Sequence, residues 1–188
     1  MTREQWLGAF TDLARPYFAA EGGELPAVVR CSIGWPSKGN RSKVIGECWG
    51  AAASGDGAIE IFIRPSLQSD SSRIADVLTH ELCHAALGIE EGHGKAFKRL
   101  ATRLGLEGKM TATVAGERWH QWADAILTDL GPLPGADLGG GLAGGKKTQT
   151  TRMIKLVCDL CDWTCRTTAS HIQDGMTCPT GCGGELHQ

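Results

Sequence analysis

Three absences narrow the kind of protein that this sequence encodes. The first residues, MTREQWLGAF, have no basic region followed by an apolar stretch, so we expect no secretory signal. No run approaches the roughly 18 uninterrupted apolar residues that cross a bilayer. The formal net charge is only −2, which excludes a general attraction of the whole chain to nucleic acid. We therefore expect a cytoplasmic protein that does not bind membranes.

Glycine and proline are concentrated in one segment of the 188-residue chain, GPLPGADLGGGLAGG from position 131. Such a segment cannot hold a regular element and is typical of a flexible linker. The chain is long enough for one core and a small appendage. The sequence therefore predicts a body over residues 1–130, a linker over 131–150 and a cysteine-rich tail over 151–188.

Hydrophobic periodicity and turn residues predict the elements of the body. Apolar residues recur at helical spacing near the N-terminus, and three short apolar runs are separated by turn sequences such as SGDG. The predicted helices cover residues 3–18, about 70–87, 95–104 and 117–130, and the predicted strands cover 27–33, 43–50 and 58–63. Short connections favour a mostly antiparallel three-stranded sheet. A helix, three strands and then further helices indicate the α+β class.

The second predicted helix contains the sequence His80-Glu81-Leu82-Cys83-His84. Four helical positions bring the two histidines onto nearly the same face, where both imidazoles can reach one ion. Glu81 lies about 100° further round the helix and can reach a water on that ion instead. The spacing predicts a zinc site with a carboxylate that accepts the proton of an activated water.

A catalytic zinc ion takes three protein ligands and leaves one position open. We favour His93 as the third ligand because Gly92 and Gly94 let the backbone return its ring toward the preceding helix. Glu90 and Glu91 remain alternatives. Cys83 is expected to be a small buried side chain, and His120 a histidine on a helix surface.

The run HELCHAALG…EEGHGKAFKRLATRLG resembles the SprT-like family, which includes Spartan-type proteases. The resemblance matches His80, His84 and His93 to the zinc ligands of that family, Glu81 to its catalytic glutamate and Phe97 to its helix aromatic. It implies a zincin-like body that hydrolyses peptide bonds in proteins on or near DNA, including DNA–protein crosslinks. We expect a monomer, located in the host cytoplasm if the chain is phage-encoded.

The tail carries cysteines in two close pairs, C-x2-C and C-x3-C, separated by sixteen residues. Two such pairs can close a tetrahedral site of four thiolates, which would supply the folding free energy of so small a segment. Cys165 or His171 could replace one of these ligands. The predicted ligands of this structural zinc ion are Cys158, Cys161, Cys178 and Cys182.

The resemblance extends to the tail, which is similar to the zinc ribbon of phage and bacterial SprT-like proteins. It implies a module that helps to hold a substrate complex, often one with nucleic acid. Residues 146–166 include Lys155, Trp163 and Arg166, which could contact DNA by stacking and charge, although Trp163 could instead pack on the ribbon itself. The alternative function is a nucleic-acid-binding adaptor whose HExxH body is a structural zinc domain.

Overall fold

The computed structural model describes residues 1–39, 42–135 and 152–188. The chain divides into two compact units, residues 1–142 and 143–188. Most of the predicted linker, residues 136–150, lies outside the described residues, so the linker stays a prediction. No helix in the described part of the chain is both long enough and apolar enough to cross a membrane.

Helix α1, Arg3–Ala20, forms one side of the core of the first unit. It begins at Thr2, whose side chain accepts a hydrogen bond from the Gln5 amide while the Gln5 side chain accepts one from the Thr2 amide. This reciprocal pair satisfies two amides that a helix start leaves without partners. The face that α1 turns inward is fully buried and consists of Trp6, Leu7, Phe10, Ala14 and Phe18.

A three-stranded sheet lies beside α1. Its strands are β1, Val29–Ile33, β2, Gly46–Trp49, and β3, Ile59–Ile63, in the order β1-β3-β2. Strand β3 buries alternate residues, as a strand with one face on the core does. The three-stranded sheet and the α+β class are confirmed.

The pairing inside the sheet differs from the prediction in one respect. Strand β2 is antiparallel to β3, but β1 is parallel to β3. Turn residues between consecutive strands favoured antiparallel neighbours, yet β1 and β2 do not pair because β3 lies between them. Strand β2 is consequently at the outer edge of the sheet.

Helix α2, Ser71–Leu87, is the central helix of the unit. It begins where the Asp70 side chain accepts a hydrogen bond from the Arg73 amide at 2.8 Å, and it ends at Gly88, whose φ of +88° favours glycine. Ile74, Leu78 and Leu82 on α2 are fully buried. The two histidines of α2 therefore lie on a helix that is firmly packed against the core.

The remaining elements of the unit are α3, Lys95–Arg103, β4, Leu106–Lys109, β5, Ala112–Ala115, and α4, Glu117–Leu130. Strands β4 and β5 form an antiparallel hairpin that the sequence analysis did not predict. Along β5 only Thr113 is buried, and its neighbours Ala112 and Val114 are exposed. The hairpin thus presents one face to the protein.

The second unit is a small antiparallel sheet, with β6, Ile154–Cys158, between β7, Thr164–Thr167, and β8, Leu186–His187. Within its described part, residues 152–188, the buried hydrophobic residues are Leu156, Cys158 and Cys178. So few buried apolar side chains cannot stabilise a unit of this size alone, which is the situation in which a metal supplies the stability.

Candidate metal centre

The side chains of His80, His84 and His93 converge at one point. The Nε2 atom of His93 lies 3.2 Å from Nε2 of His80 and 3.3 Å from Nε2 of His84. His80 and His84 come from successive turns of α2, and His93 comes from the turn before α3. Gly92 has a φ of +53°, a conformation that suits glycine and that directs the chain back toward α2.

These separations fit a zinc ion. At zinc–nitrogen bond lengths of 2.0–2.1 Å, two ligands of a tetrahedral site are about 3.3 Å apart. The three histidines form a group whose possible ligand atoms all lie within 4.8 Å of one another. Three imidazoles leave a fourth tetrahedral position for a water molecule or a substrate atom.

Burial keeps two of the three imidazoles neutral. Desolvation, together with the neighbouring histidines, lowers the pKa of His80 to about 3 and that of His84 to about 4. Burial also lowers the pKa of His93. At neutral pH each ring therefore has a nitrogen lone pair available, as a metal ligand must.

The ring of Phe97 packs against all three imidazole rings. The centroid of its ring lies 4.9 Å from that of His80, 4.4 Å from that of His84 and 4.9 Å from that of His93. Phe97 is fully buried on α3. One aromatic side chain thus joins the two helical histidines to the histidine of the turn.

The carboxylate of Glu81 lies beneath strand β2. Glu81 is 6% exposed, and the backbone amide of Cys48 favours the charged form of its carboxylate. Burial, with a smaller contribution from the negative charge of Glu47, raises the pKa of Glu81 to about 8 in the metal-free protein. Glu81 is therefore held by β2 and poised to exchange a proton near neutral pH.

The histidines and Glu81 line one open cleft of about 600 Å³. Residues 43–48, which include most of β2, form one wall, and residues 111–113 of the hairpin lie on the other side. Val44, Val77 and Ile89 give the cleft apolar surface, and Lys43 and Arg73 contribute positive charge. The volume of the cleft is within the range of ligand-binding clefts.

The structure separates the alternative ligands from the metal group. Among the described residues, the group around His93 contains neither Glu90 nor Glu91. The carboxylate of Glu91 accepts a hydrogen bond from the Ala96 amide at 3.3 Å, near the start of α3. Cys83 is fully buried, and His120 is an exposed residue of α4 whose Nδ1 lies 2.9 Å from Asp124.

Four sulfurs meet in the second unit, and they belong to Cys158, Cys161, Cys178 and Cys182. The Sγ–Sγ distances are 3.5 Å for Cys158–Cys182, 3.7 Å for Cys161–Cys178 and 3.6 Å for Cys161–Cys182. At a zinc–sulfur bond length of about 2.3 Å, tetrahedral ligands are about 3.8 Å apart. The cluster therefore fits a closed structural zinc site.

Backbone amides and a hydroxyl group support these sulfurs. The Leu160 amide donates to Sγ of Cys158 at 3.4 Å. Hydrogen bonds from the Thr180 hydroxyl and then from the Gly184 amide lower the pKa of Cys182 to about 6, which favours its thiolate. Cys165 is not in the cluster, since it pairs with Leu156 on β6, and His171 is exposed with its Nδ1 3.1 Å from the Thr168 hydroxyl.

Sequence reasoning missed the residues that hold the site in place. The contacts of Glu81 with the backbone of β2 depend on how the strand packs on the helix, and no sequence motif predicts them. The segment TATVA, between two predicted helices, is rich in β-branched residues, which is a strand signal. That signal could have revealed strand β5, although not the role of Thr113.

A zincin-like α+β body with three histidines beside a buried glutamate defines a metalloprotease-type zinc domain. The sequence model of the SprT-like family matches residues 10–116, more than half of the chain. The chain belongs to the SprT-like family. Comparisons with curated proteins and with solved structures gave no match.

Proposed function

We propose that this protein is a zinc-dependent metallopeptidase that hydrolyses peptide bonds with water. The observation that carries the proposal is the convergence of His80, His84 and His93, with Nε2 of His93 3.2 and 3.3 Å from Nε2 of the other two, at an open cleft that also contains Glu81. A structural zinc site is closed by four protein ligands. Three ligands at an open cleft therefore favour the peptidase over an adaptor with a structural zinc body.

The residues divide the chemistry between them. His80, His84 and His93 would hold a zinc ion, which supplies polarisation of a carbonyl and a lowered pKa of water. Glu81 takes up the proton of the attacking water on its carboxylate and delivers it to the leaving amine nitrogen. The backbone amide of Cys48 favours the charged form of that carboxylate, which lines the cleft.

The position of β2 supports an extended polypeptide as substrate. β2 is one of the two outer strands of the order β1-β3-β2, and residues 43–48 line the cleft. An edge strand offers unpaired backbone groups to which an extended segment can add. We therefore expect flexible or unfolded segments to be cut in preference to folded ones.

Two exposed basic residues of the ribbon favour substrates that are associated with DNA. Lys155 on β6 stands directly opposite Arg166 on β7, and both side chains are exposed. Like charges at opposed positions of a sheet destabilise it, and a phosphate backbone would remove that repulsion. Val157 and Thr164 form the next outward-facing pair on the same surface.

The peptidase proposal is tested with Glu81→Gln, which keeps the size of the side chain but cannot accept the proton. The variant should retain the metal content of the wild type and lose cleavage of an unfolded protein substrate. Equal cleavage by the two proteins would overturn the mechanism. Metal content is measured in parallel by mass spectrometry, so a folding defect is recognised.

DNA association is tested with a protein crosslinked to single-stranded DNA and with the same protein free. Faster cleavage of the crosslinked form supports the substrate class, and the advantage should shrink in the double variant Lys155→Ala and Arg166→Ala. A body residue, Lys98→Ala, controls for the loss of a positive charge. The slope of log affinity against log salt concentration should be shallower in the double variant, by the amount that corresponds to about two fewer phosphate contacts.

A further inference from the structure

Three residues of α2 form a row that faces the β4–β5 hairpin. Arg73, Asp76 and His80 are spaced by three and four positions, which places them on one side of the helix. Asp76 is buried, and both of its carboxylate oxygens accept hydrogen bonds from Nη1 of Arg73, at 2.8 and 2.7 Å. A buried carboxylate paired in this way has a fixed position.

Arg73 and Asp76 hold the backbone of β5 at two points. Nη1 of Arg73 donates to the carbonyl oxygen of Thr113 at 3.2 Å, and the amide of Ala115 donates to Oδ2 of Asp76 at 3.0 Å. Thr113 and Ala115 lie two residues apart on the strand, so their side chains share a face. The two contacts fix the register of β5 against α2.

The third contact of this row joins the hairpin to the metal centre. The Thr113 hydroxyl lies 2.9 Å from Nδ1 of His80, and Thr113 is 5% exposed. Nε2 of the same ring points toward His93. Across the described residues, His80 is the one ligand of the three whose Nδ1 has a hydrogen-bond partner.

The geometry points to Thr113 as a positioning residue of the metal centre, held in place by Arg73 and Asp76. Its hydroxyl oxygen accepts the hydrogen of Nδ1 of His80, which leaves Nε2 without a hydrogen and directed at the metal position. Such a partner for the second ring nitrogen fixes both the tautomer and the orientation of a ligating histidine. The inference rests on one part of the proposed function, namely that His80 is a metal ligand.

The test compares Thr113→Val with Thr113→Ser in the full chain. Valine keeps the shape of threonine but leaves Nδ1 of His80 without an acceptor. Serine keeps the hydroxyl. Metal-free protein is titrated with Co²⁺, and the thiolate charge-transfer absorption of the ribbon site serves as an internal reference that no variant should change.

Thr113→Val should weaken Co²⁺ binding at the histidine site by about 10- to 100-fold, and Thr113→Ser should restore most of the affinity. Thr11→Val is the matched control, because Thr11 is also buried but donates its hydroxyl hydrogen to Leu7 on α1. It should leave both sites unchanged. Thermal unfolding of each metal-free variant checks that the body is folded.

Wild-type affinity in Thr113→Val would overturn the inference, as would an equal loss in Thr113→Ser. If Thr113→Val does not fold, Asp76→Asn is used instead. This variant keeps the Thr113 hydroxyl but weakens the contacts of α2 with β5. An unchanged Co²⁺ affinity of the histidine site in Asp76→Asn would also contradict the inference. A wild-type body that binds no Co²⁺ would overturn the proposed function as well. The two failures are therefore distinguishable.

Discussion

Gly46 on β2 lies against the carboxylate of Glu81 on α2, so closely that a β-carbon at position 46 would stand 2.5 Å from Oε1 of Glu81. The same β-carbon would be 2.7 Å from a methyl carbon of Val77. Only a residue without a side chain lets β2 pass over the carboxylate at this distance. The placement of Glu81 therefore depends on a glycine of the sheet as well as on its own helix.

Gly46→Ala should reduce turnover while the metal stays bound. The added methyl group displaces either Glu81 or β2, and a shift of about 1 Å at a reacting group can cost about 100-fold in rate. Overpacking should also lower the free energy of unfolding by about 1–3 kcal/mol. Turnover on an unfolded protein substrate and metal content are measured together.

The control for this variant is Gly8→Ala on α1, where a β-carbon meets no atom within 4 Å. Alanine is a better helix former than glycine, by about 0.5–1 kcal/mol, so this variant should be slightly more stable and fully active. Wild-type turnover in Gly46→Ala would show that the close approach is irrelevant to the reaction.

Single substitutions should remove the two metals independently. We expect His93→Ala to lose the ion of the body and Cys178→Ala to lose the ion of the ribbon, because each removes one ligand of a convergent group. Native mass spectrometry counts the ions that remain. Cys165→Ala should lose neither, and a lost ion in that variant would contradict the assignment of the ribbon ligands.

Phe97→Ala should loosen the metal centre beyond its effect on stability. The truncation leaves a cavity under three imidazole rings and should cost about 3–5 kcal/mol of unfolding free energy. Phe18→Ala provides the comparison, since Phe18 is equally buried but lies on α1. Chelators should extract the metal faster from the Phe97 variant alone, and equal extraction rates would disprove the supporting role of this ring.

The stability of the metal-free body should decrease as the pH rises from about 6.5 to 8, where the three histidines are mostly neutral in both the folded and the unfolded state. Below that range the histidines, whose pKa values burial lowers, contribute in the opposite direction. Between about pH 6.5 and 8 the folded state keeps Glu81 protonated, since burial raises its pKa to about 8, whereas the unfolded state ionises near 4.5. The folded state then binds more protons, so raising the pH favours unfolding, by up to about 1.4 kcal/mol per pH unit. Urea unfolding at several pH values measures the slope.

The matched variant for the pH experiment is Glu81→Gln, which has no carboxyl group to titrate. Its stability should change less with pH than that of the wild type over the same range. Identical slopes in the two metal-free proteins would mean that Glu81 ionises normally in the folded state.

Local patterns were sufficient to predict the helices that carry the site. The periodicity around His80 and His84 identified α2, with its start near Asp70 and its end at Leu87. The SprT-like resemblance is confirmed by the family match over residues 10–116. These features are encoded within a few neighbouring residues, and such features can be read directly from a sequence.

Features that depend on distant pairing could not be predicted in the same way. The parallel pairing of β1 with β3 joins residues 30 positions apart, such as Val29 and Ile59. The contact of Thr113 with His80 spans 33 positions. Nothing local distinguishes Thr113 from the chain's other threonines, because its role arises only when β5 is placed against α2.

The residues that line the cleft differ in exposure. Val77 and Glu81 of α2 line the cleft and are buried, whereas the lining residues Lys43, Ile89 and Thr111 are exposed. Exchanging an exposed lining residue should alter which peptide sequences are accepted at little cost in folding free energy. The selectivity of the proposed peptidase could therefore be changed at exposed positions while its metal centre and its fold remain untouched.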